Sequence, residues 1–265
     1  MDKSTFLGVA VAVTGILLGL MLEGGKIAQI IQPTAAIIVF GGTLGAVMIQ
    51  FPLRVIFAAG RRLGQVFIDN TQNPNLLIQE MVGYAQKARK EGIISLDAEL
   101  VSIADPFLKK SLMLAVDGTE PLEIRTIMTL ELDNQSEHEE HLPRVFESAG
   151  GFAPTIGIIG AVLGLIQVMQ HLDDISEVGR GIAVAFVATI YGVGSANLFL
   201  LPVSGKIKMR IRQEQIRREM MLEGVISILE GVISILEGMN PRMLETKLQS
   251  FFAEANQEAM NKKAA

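Results

Sequence analysis

Four stretches of nearly pure apolar sequence interrupt an otherwise mixed chain. Ser4–Leu22, Thr34–Leu53, Phe152–Met169 and Gly181–Val203 contain no Asp, Glu, Lys, Arg or His. Each runs roughly 18–23 residues, enough for a helix rising about 1.5 Å per residue to cross a hydrocarbon core of about 30 Å. A buried helix of a soluble protein seldom runs that long without a charge. The pattern predicts an all-α membrane protein with four transmembrane helices. Between the second and third spans the apolar positions become periodic instead. Leu76, Ile78, Met81, Val82, Tyr84 and Ala85 form one amphipathic set. Leu122, Ile124, Ile127, Met128, Leu130 and Leu132 form a second, which starts near Pro121 after the turn-like Asp117-Gly118-Thr119-Glu120-Pro121. This middle region therefore reads as a helical domain rather than a disordered loop.

Charge orients the spans. Arg54, Arg61 and Arg62 follow the second span, and Lys206, Lys208, Arg210, Arg212, Arg217 and Arg218 follow the fourth. The link between spans three and four is net acidic, with Asp173, Asp174, Glu177 and Arg180. By the positive-inside rule the middle domain and both termini, N and C, are cytoplasmic. The resulting segments are 1–53 (spans one and two), 54–151 (cytoplasmic helical domain), 152–204 (spans three and four) and 205–265 (cytoplasmic tail helix). Composition agrees, with a mean hydropathy of +0.40 over 265 residues. Lys3 is the only basic residue ahead of the first apolar stretch, which is longer than a signal-peptide core and lacks a clear cleavage pattern, so an uncleaved span is expected. There is no cysteine, which excludes disulfides and thiolate metal sites.

Spans three and four carry stripes of small residues. Gly157, Gly160 and Gly164 recur in the third beside Ala161; Gly181, Ala185, Ala188, Gly192 and Ala196 recur in the fourth beside Thr189 and Ser195. Small residues let helices approach closely in lipid. They serve either packing within one subunit or contact with a helix from another chain. Thr155, Thr189, Tyr191, Ser195, Asn197 and Gln167 are the few polar groups there, and no span holds a carboxylate. Intramembrane proton relays generally need one, so if this chain helps move ions the protonatable group must come from elsewhere. Pro154 and Pro202 remove backbone donors, either as simple kinks or as functional joints.

Enzymatic motifs are missing. Gly41, Gly42 and Gly45 lack the Lys-Ser/Thr of a phosphate loop, and His138-Glu139-Glu140-His141 has its histidines three apart rather than the four that H-E-x-x-H requires. No enzyme activity, cofactor, metal site or nucleic-acid contact is expected. Gly224–Glu230 is repeated at once as Gly231–Glu237, identical at every position. Seven residues are nearly two helical turns, so a continuous helix would keep its apolar face while moving residues 238–265 by about 10 Å.

Several stretches then point one way: Gly150-Gly-Phe-Ala-Pro-Thr-Ile-Gly-Ile-Ile-Gly-Ala-Val-Leu-Gly-Leu165, Gly181-Ile-Ala-Val-Ala-Phe-Val-Ala-Thr-Ile-Tyr-Gly192, Ala88-Arg-Lys-Glu-Gly-Ile-Ile-Ser-Leu-Asp97 and Asp105-Pro-Phe-Leu-Lys-Lys110. With these the chain resembles the MotA/PomA family, the ring-forming subunit of the bacterial flagellar motor stator, and within it the MotA/MotC type. The resemblance implies a homo-oligomer of five copies in the inner membrane around the single transmembrane helices of two MotB-like partner chains, which supply the ion-carrying aspartate. It implies rotor contacts to FliG from Arg89, Lys90 and Asp97, where the family often has Glu at the last position. Pro154 and Pro202 would serve conformational coupling, and Thr189, Ala161 and Thr155 the ion pathway. Gly157, Gly160, Gly164, Ala185, Phe186 and Gly192 would be packing and partner-facing positions. Sodium-type members tend to have Thr where this chain has Ala161. Sodium must exchange its water for oxygen ligands, so the lost hydroxyl favours a proton over sodium. The duplicated heptad departs from the family. An ExbB/TolQ-like energiser is the alternative, but such chains usually have three spans. A stand-alone transporter would need its own ion ligand.

Overall fold

A computed structural model describes residues 3–67, 74–233 and 241–251. In chain order the helices are α1 (Lys3–Leu22), α2 (Pro33–Gln50), α3 (Leu53–Val66), α4 (Pro74–Glu91), α5 (Pro106–Val116), α6 (Pro121–Gln170), α7 (Ile175–Ser195), α8 (Leu201–Ile233) and α9 (Pro241–Ser250). Short 3-10 segments lie at Ile27–Ile30 and Ile93–Glu99. Among the described residues there is no strand. The four charge-free stretches correspond to helices long and apolar enough to span a bilayer, although the second of these ends at Gln50, short of Leu53. Two of those helices run far beyond the apolar stretch. The third span is the end of α6, which starts at Pro121, and α7 starts at Ile175, ahead of the fourth.

The chain divides into two compact units. One, the membrane unit, comprises Met1–Asn70 and His138–Arg210; the other, extramembrane, comprises Thr71–Glu137 and Ile211–Ala265. Two of the three divisions fall inside α6 and α8 rather than at the edges of the apolar stretches. A helix does not stop where its side chains turn polar, because its backbone bonds are made within the segment either way.

In the membrane unit α1 has no buried residue, while Ala35 and Val39 of α2 pack against Val187 and Ala188 of α7. Two turns in these spans are widened to π geometry, at Ile37–Gly41 and Ala196–Leu200. In the second, the Leu201 N–H reaches back to the Ala196 carbonyl. It precedes Pro202, whose ring cannot donate and would crowd the carbonyl four residues back in a regular turn. Buried Ser204 donates to the Pro143 carbonyl at 2.9 Å, tying the start of α8 to α6.

The extramembrane unit has its own core of Met81, Leu96, Leu108, Leu112, Ile124, Met128, Met220, Met221, Ile226 and Leu248. The amphipathic helices exist as the periodicity predicts, with α6 starting at Pro121, but three assigned apolar positions face outward. Leu76, Leu122 and Leu130 are 64%, 75% and 62% exposed. Leu77 is in phase with Met81, Tyr84 and Ala88, and Ile124 with Met128 and Leu132. A leucine one or two places off that phase points away. The predicted turn is present, with Gly118 at φ +82°, a conformation that favours glycine.

Asp105 caps α5, accepting from the N–H groups of Phe107 and Leu108 at 2.9 and 3.1 Å, with Pro106 in the first turn. Its second oxygen accepts from Arg217 at 2.8 Å. Burial works against the Arg217 charge, but Glu214 and Asp105 outweigh it and hold the guanidinium above its ordinary value. Glu223 joins Arg125 (2.9 Å) and Lys247 in one network. Burial would raise its carboxyl, yet the two cations win and hold it below the ordinary range. The first heptad copy is buried from Gly224 through Leu229. The second copy runs past Ile233, so its course and the predicted shift of the segment after it lie outside the described residues.

Candidate functional site: a glycine seam and an exposed charge cluster

The small-residue stripes of spans three and four meet each other inside this chain. A Cβ added at Gly157 would lie 2.9 Å from the Ala188 carbonyl oxygen, and one at Gly164 would lie 2.8 Å from the Gly181 oxygen. At Gly192 it would come within 2.5 Å of the Ala153 oxygen and 3.1 Å of the Gly157 Cα. Gly160 meets Ala188 and Ile38. Backbone thus touches backbone for about four turns, the close approach that drives association where lipid removes the hydrophobic force. Of the residues assigned to packing, Gly157, Gly160, Gly164, Ala185 and Gly192 are buried in this seam, whereas Phe186 stands 69% exposed. On the same face of α7 as Phe186, Ile182 and Ile190 are also exposed, and α6 exposes Ile158 and Val162.

The three positions assigned to an ion route sit differently. Thr189 is half-buried, its Cα near Gly157, and its hydroxyl donates to the Ala185 carbonyl at 3.2 Å. Thr155 is exposed and donates to the Phe152 carbonyl at 2.8 Å. Ala161 is half-buried. Each hydroxyl donates to a carbonyl of its own helix and keeps lone pairs on its oxygen that can still accept or coordinate. Pro154 lies half-buried within α6, and Pro202 exposed after the wide turn.

Tyr191 has a larger part than its place among the polar groups of the span suggests. Its hydroxyl donates to the Ile30 carbonyl at 2.6 Å and accepts from the Gln32 N–H at 3.2 Å. Its ring stacks on Phe40 with centroids 5.9 Å apart. It thereby fastens the link between spans one and two to span four. A tyrosine in an apolar run signals that its hydroxyl needs a partner, but nothing in the sequence says which.

The charge cluster of the extramembrane unit is presented by a helix and a turn. Arg89 and Lys90 end α4, where cations suit the helix dipole. Gly92, at φ +84°, reverses the chain into the Ile93–Glu99 segment, which is anchored by buried Leu96. Lys87 pairs with Glu99 at 2.6 Å and closes the structure; that hydrogen bond holds the Lys87 ammonium above its ordinary value. Arg89, Lys90 and Asp97 are all exposed, and none has an ion-pair partner among the described residues. His138 and His141 are exposed on α6, while Glu139 pairs with Arg62 and Glu140 with Arg144.

Four helical spans whose apolar stretches carry no charge, two of them locked by a glycine seam, together with a separate charged helical unit, define a multi-pass membrane protein. Residues 99–220 match the MotA/TolQ/ExbB proton channel family, and residues 6–92 the motility protein A N-terminal family. Motility protein A of Bacillus subtilis is 36% identical, with 94% of this chain and 90% of that one aligned. Chemotaxis protein PomA of Vibrio alginolyticus is 30% identical over 96% of each. A chain of the flagellar MotAB stator complex from Bacillus subtilis superposes with a TM-score of 0.87 at 34% identity, covering 98% of this chain and 99% of that one. Helicobacter pylori also has a similar motility protein A, at 34% identity. The chain belongs to the motility protein A family. These likenesses run through all four spans and favour the stator reading over an ExbB/TolQ-like energiser.

Proposed function

We propose that this chain is the ring-forming subunit of a proton-driven flagellar stator in the bacterial inner membrane. About five copies surround a MotB-like single-span partner, with both termini and the charged unit in the cytoplasm. The partner's carboxylate takes up and releases the ion, the ring responds through Pro154 and Pro202, and Arg89, Lys90 and Asp97 pass torque to FliG. One observation carries this reading: no span holds a carboxylate, while the seam leaves an apolar face around Phe186 fit to receive another helix. Ala161, where a hydroxyl would aid a dehydrated sodium ion, supports the proton.

The test is expression with its partner in a motile bacterium lacking stators. Swimming should return and stop when the proton gradient is collapsed. Swimming that needs a sodium gradient and survives proton collapse would overturn the ion assignment. Arg89→Glu should reduce swimming speed while the amount of complex in the membrane stays unchanged. Wild-type speed in that variant, and in one also altered at Asp97, would refute the rotor contact.

A further inference from the structure

Helix α3 belongs to neither the glycine seam nor the charged unit. Only Phe51 and Pro52 separate it from the end of α2. At under 4 Å per residue, so short a link holds its first turn at the membrane boundary, whichever side that is. The helix is strongly amphipathic and basic. Arg54, Phe57, Ala58 and Arg61 fall at i, i+3, i+4 and i+7, one stripe along its surface. With Arg62 and Leu142 of α6 they line a single open concavity. Arg62 is held there by Glu139 at 3.0 Å. Arg54 and Arg61 are exposed and make no ion pair or hydrogen bond among the described residues. Leu53 and Phe57 are 53% and 70% exposed on the same helix.

We infer that this concavity binds an anionic phospholipid. The phosphodiester sits between the guanidinium groups of Arg54 and Arg61, and Phe57 and Leu53 enter the acyl region beside it. Guanidinium forks match phosphate oxygens, and basic pockets beside membrane helices attract acidic headgroups at close range. Apolar side chains directed to the acyl boundary, with arginines at headgroup level, are the pattern of a helix lying in the interface. Two exposed arginines with no acidic partner among the described residues, beside a third held by Glu139, point to a negative occupant, and a boundary position makes that occupant a lipid.

The full-length chain in complex with its partner provides the test. The chain has no tryptophan, so Phe57→Trp adds a reporter, with the partner's emission subtracted using the unsubstituted complex. The complex is reconstituted into phosphatidylcholine vesicles in which a third of the lipid is brominated phosphatidylglycerol or brominated phosphatidylcholine. Both leaflets carry the quencher, so the result does not depend on the proposed orientation or on stator activity. The acidic lipid should be enriched about fivefold at the reporter for each arginine engaged. Arg54→Gln with Arg61→Gln should abolish the preference while ordinary quenching persists, and neither change touches the Arg62–Glu139 pair. Equal quenching by both lipids would overturn the inference. So would no quenching by either, which means a second protein copy covers Phe57. Loss of the preference in inorganic phosphate, but not in chloride of equal ionic strength, would make this a free-anion site and also overturn it. Should Phe57→Trp fail to assemble, native mass spectrometry of the unsubstituted and double-glutamine complexes decides. Phosphatidylglycerol should be retained only by the former, and equal retention refutes the site.

Discussion

Replacing Gly192 by alanine adds one methyl group at the tightest point of the seam. Its Cβ would lie 2.5 Å from the Ala153 oxygen and 3.1 Å from the Gly157 Cα, both backbone atoms that no rotamer change can move. Ordinary contact begins near 3.4 Å, so α6 and α7 must part by about 0.9 Å locally. A gap of 0.5–1 Å forfeits roughly a quarter to a half of each contact's dispersion energy. The loss is shared by neighbours along the seam, and overpacking of this kind costs about 1–3 kcal/mol. At about 2–4 °C per kcal/mol, the purified complex should melt several degrees lower. Gly194, on the same helix, has open space where a Cβ would go, so Gly194→Ala is the matched control and should change little. Gly157→Ala combined with Gly192→Ala should cost less than the two separately, because helices already parted admit the second methyl. Equal melting of the Gly192→Ala and Gly194→Ala complexes, or strict additivity in the double variant, would refute a backbone-to-backbone seam.

Tyr191→Phe keeps the ring stacked on Phe40 but strands the Ile30 carbonyl and the Gln32 N–H. It should cost about 1–3 kcal/mol, and unchanged thermal stability of the complex would count against the fastening role. The Glu223 network has a pH signature. Because Lys247 and Arg125 outweigh burial and depress the Glu223 carboxyl, its contribution is fully present above the ordinary value of 4.5 and lost as pH falls through the lower folded value. The melting difference between wild type and Glu223→Gln should therefore be flat near neutrality and shrink only in that acid window. A difference that grows on acidification would contradict the assignment.

The sequence discloses the spans because lipid acts on every residue of a stretch, so absence of charge is a local signal. It discloses the seam's composition as well, but not its partner. Glycines at these spacings fit a sister subunit as well as a neighbouring helix, and only the fold brings Gly157 to Ala188 and Gly192 to Ala153. Helix ends were harder to read, since α6 runs from Pro121 through a polar stretch before it reaches Phe152. Leu76, Leu122 and Leu130 show how a helix tolerates exposed leucines just off the buried phase. Ties such as Arg217 to Asp105 or Arg125 to Glu223 join residues about a hundred positions apart, and no local pattern announces them. Arg89, Lys90 and Asp97 stand out in the sequence only through family resemblance, and the Lys87–Glu99 bond that closes their turn not at all.

The wide turn at Ala196–Leu200 also constrains which gene lengths the fourth span can tolerate. A π turn houses one residue more than an α turn would, and each residue of helix is about 100° of rotation. Losing a single codon there would leave a regular α turn, in which the Pro202 ring would crowd the carbonyl four residues back. Val203, Ser204 and Ile207 would keep their buried side, because the wide turn already absorbs the extra residue. Lineages that lose a residue around position 198 should therefore also replace Pro202, while those that keep the proline should keep the length.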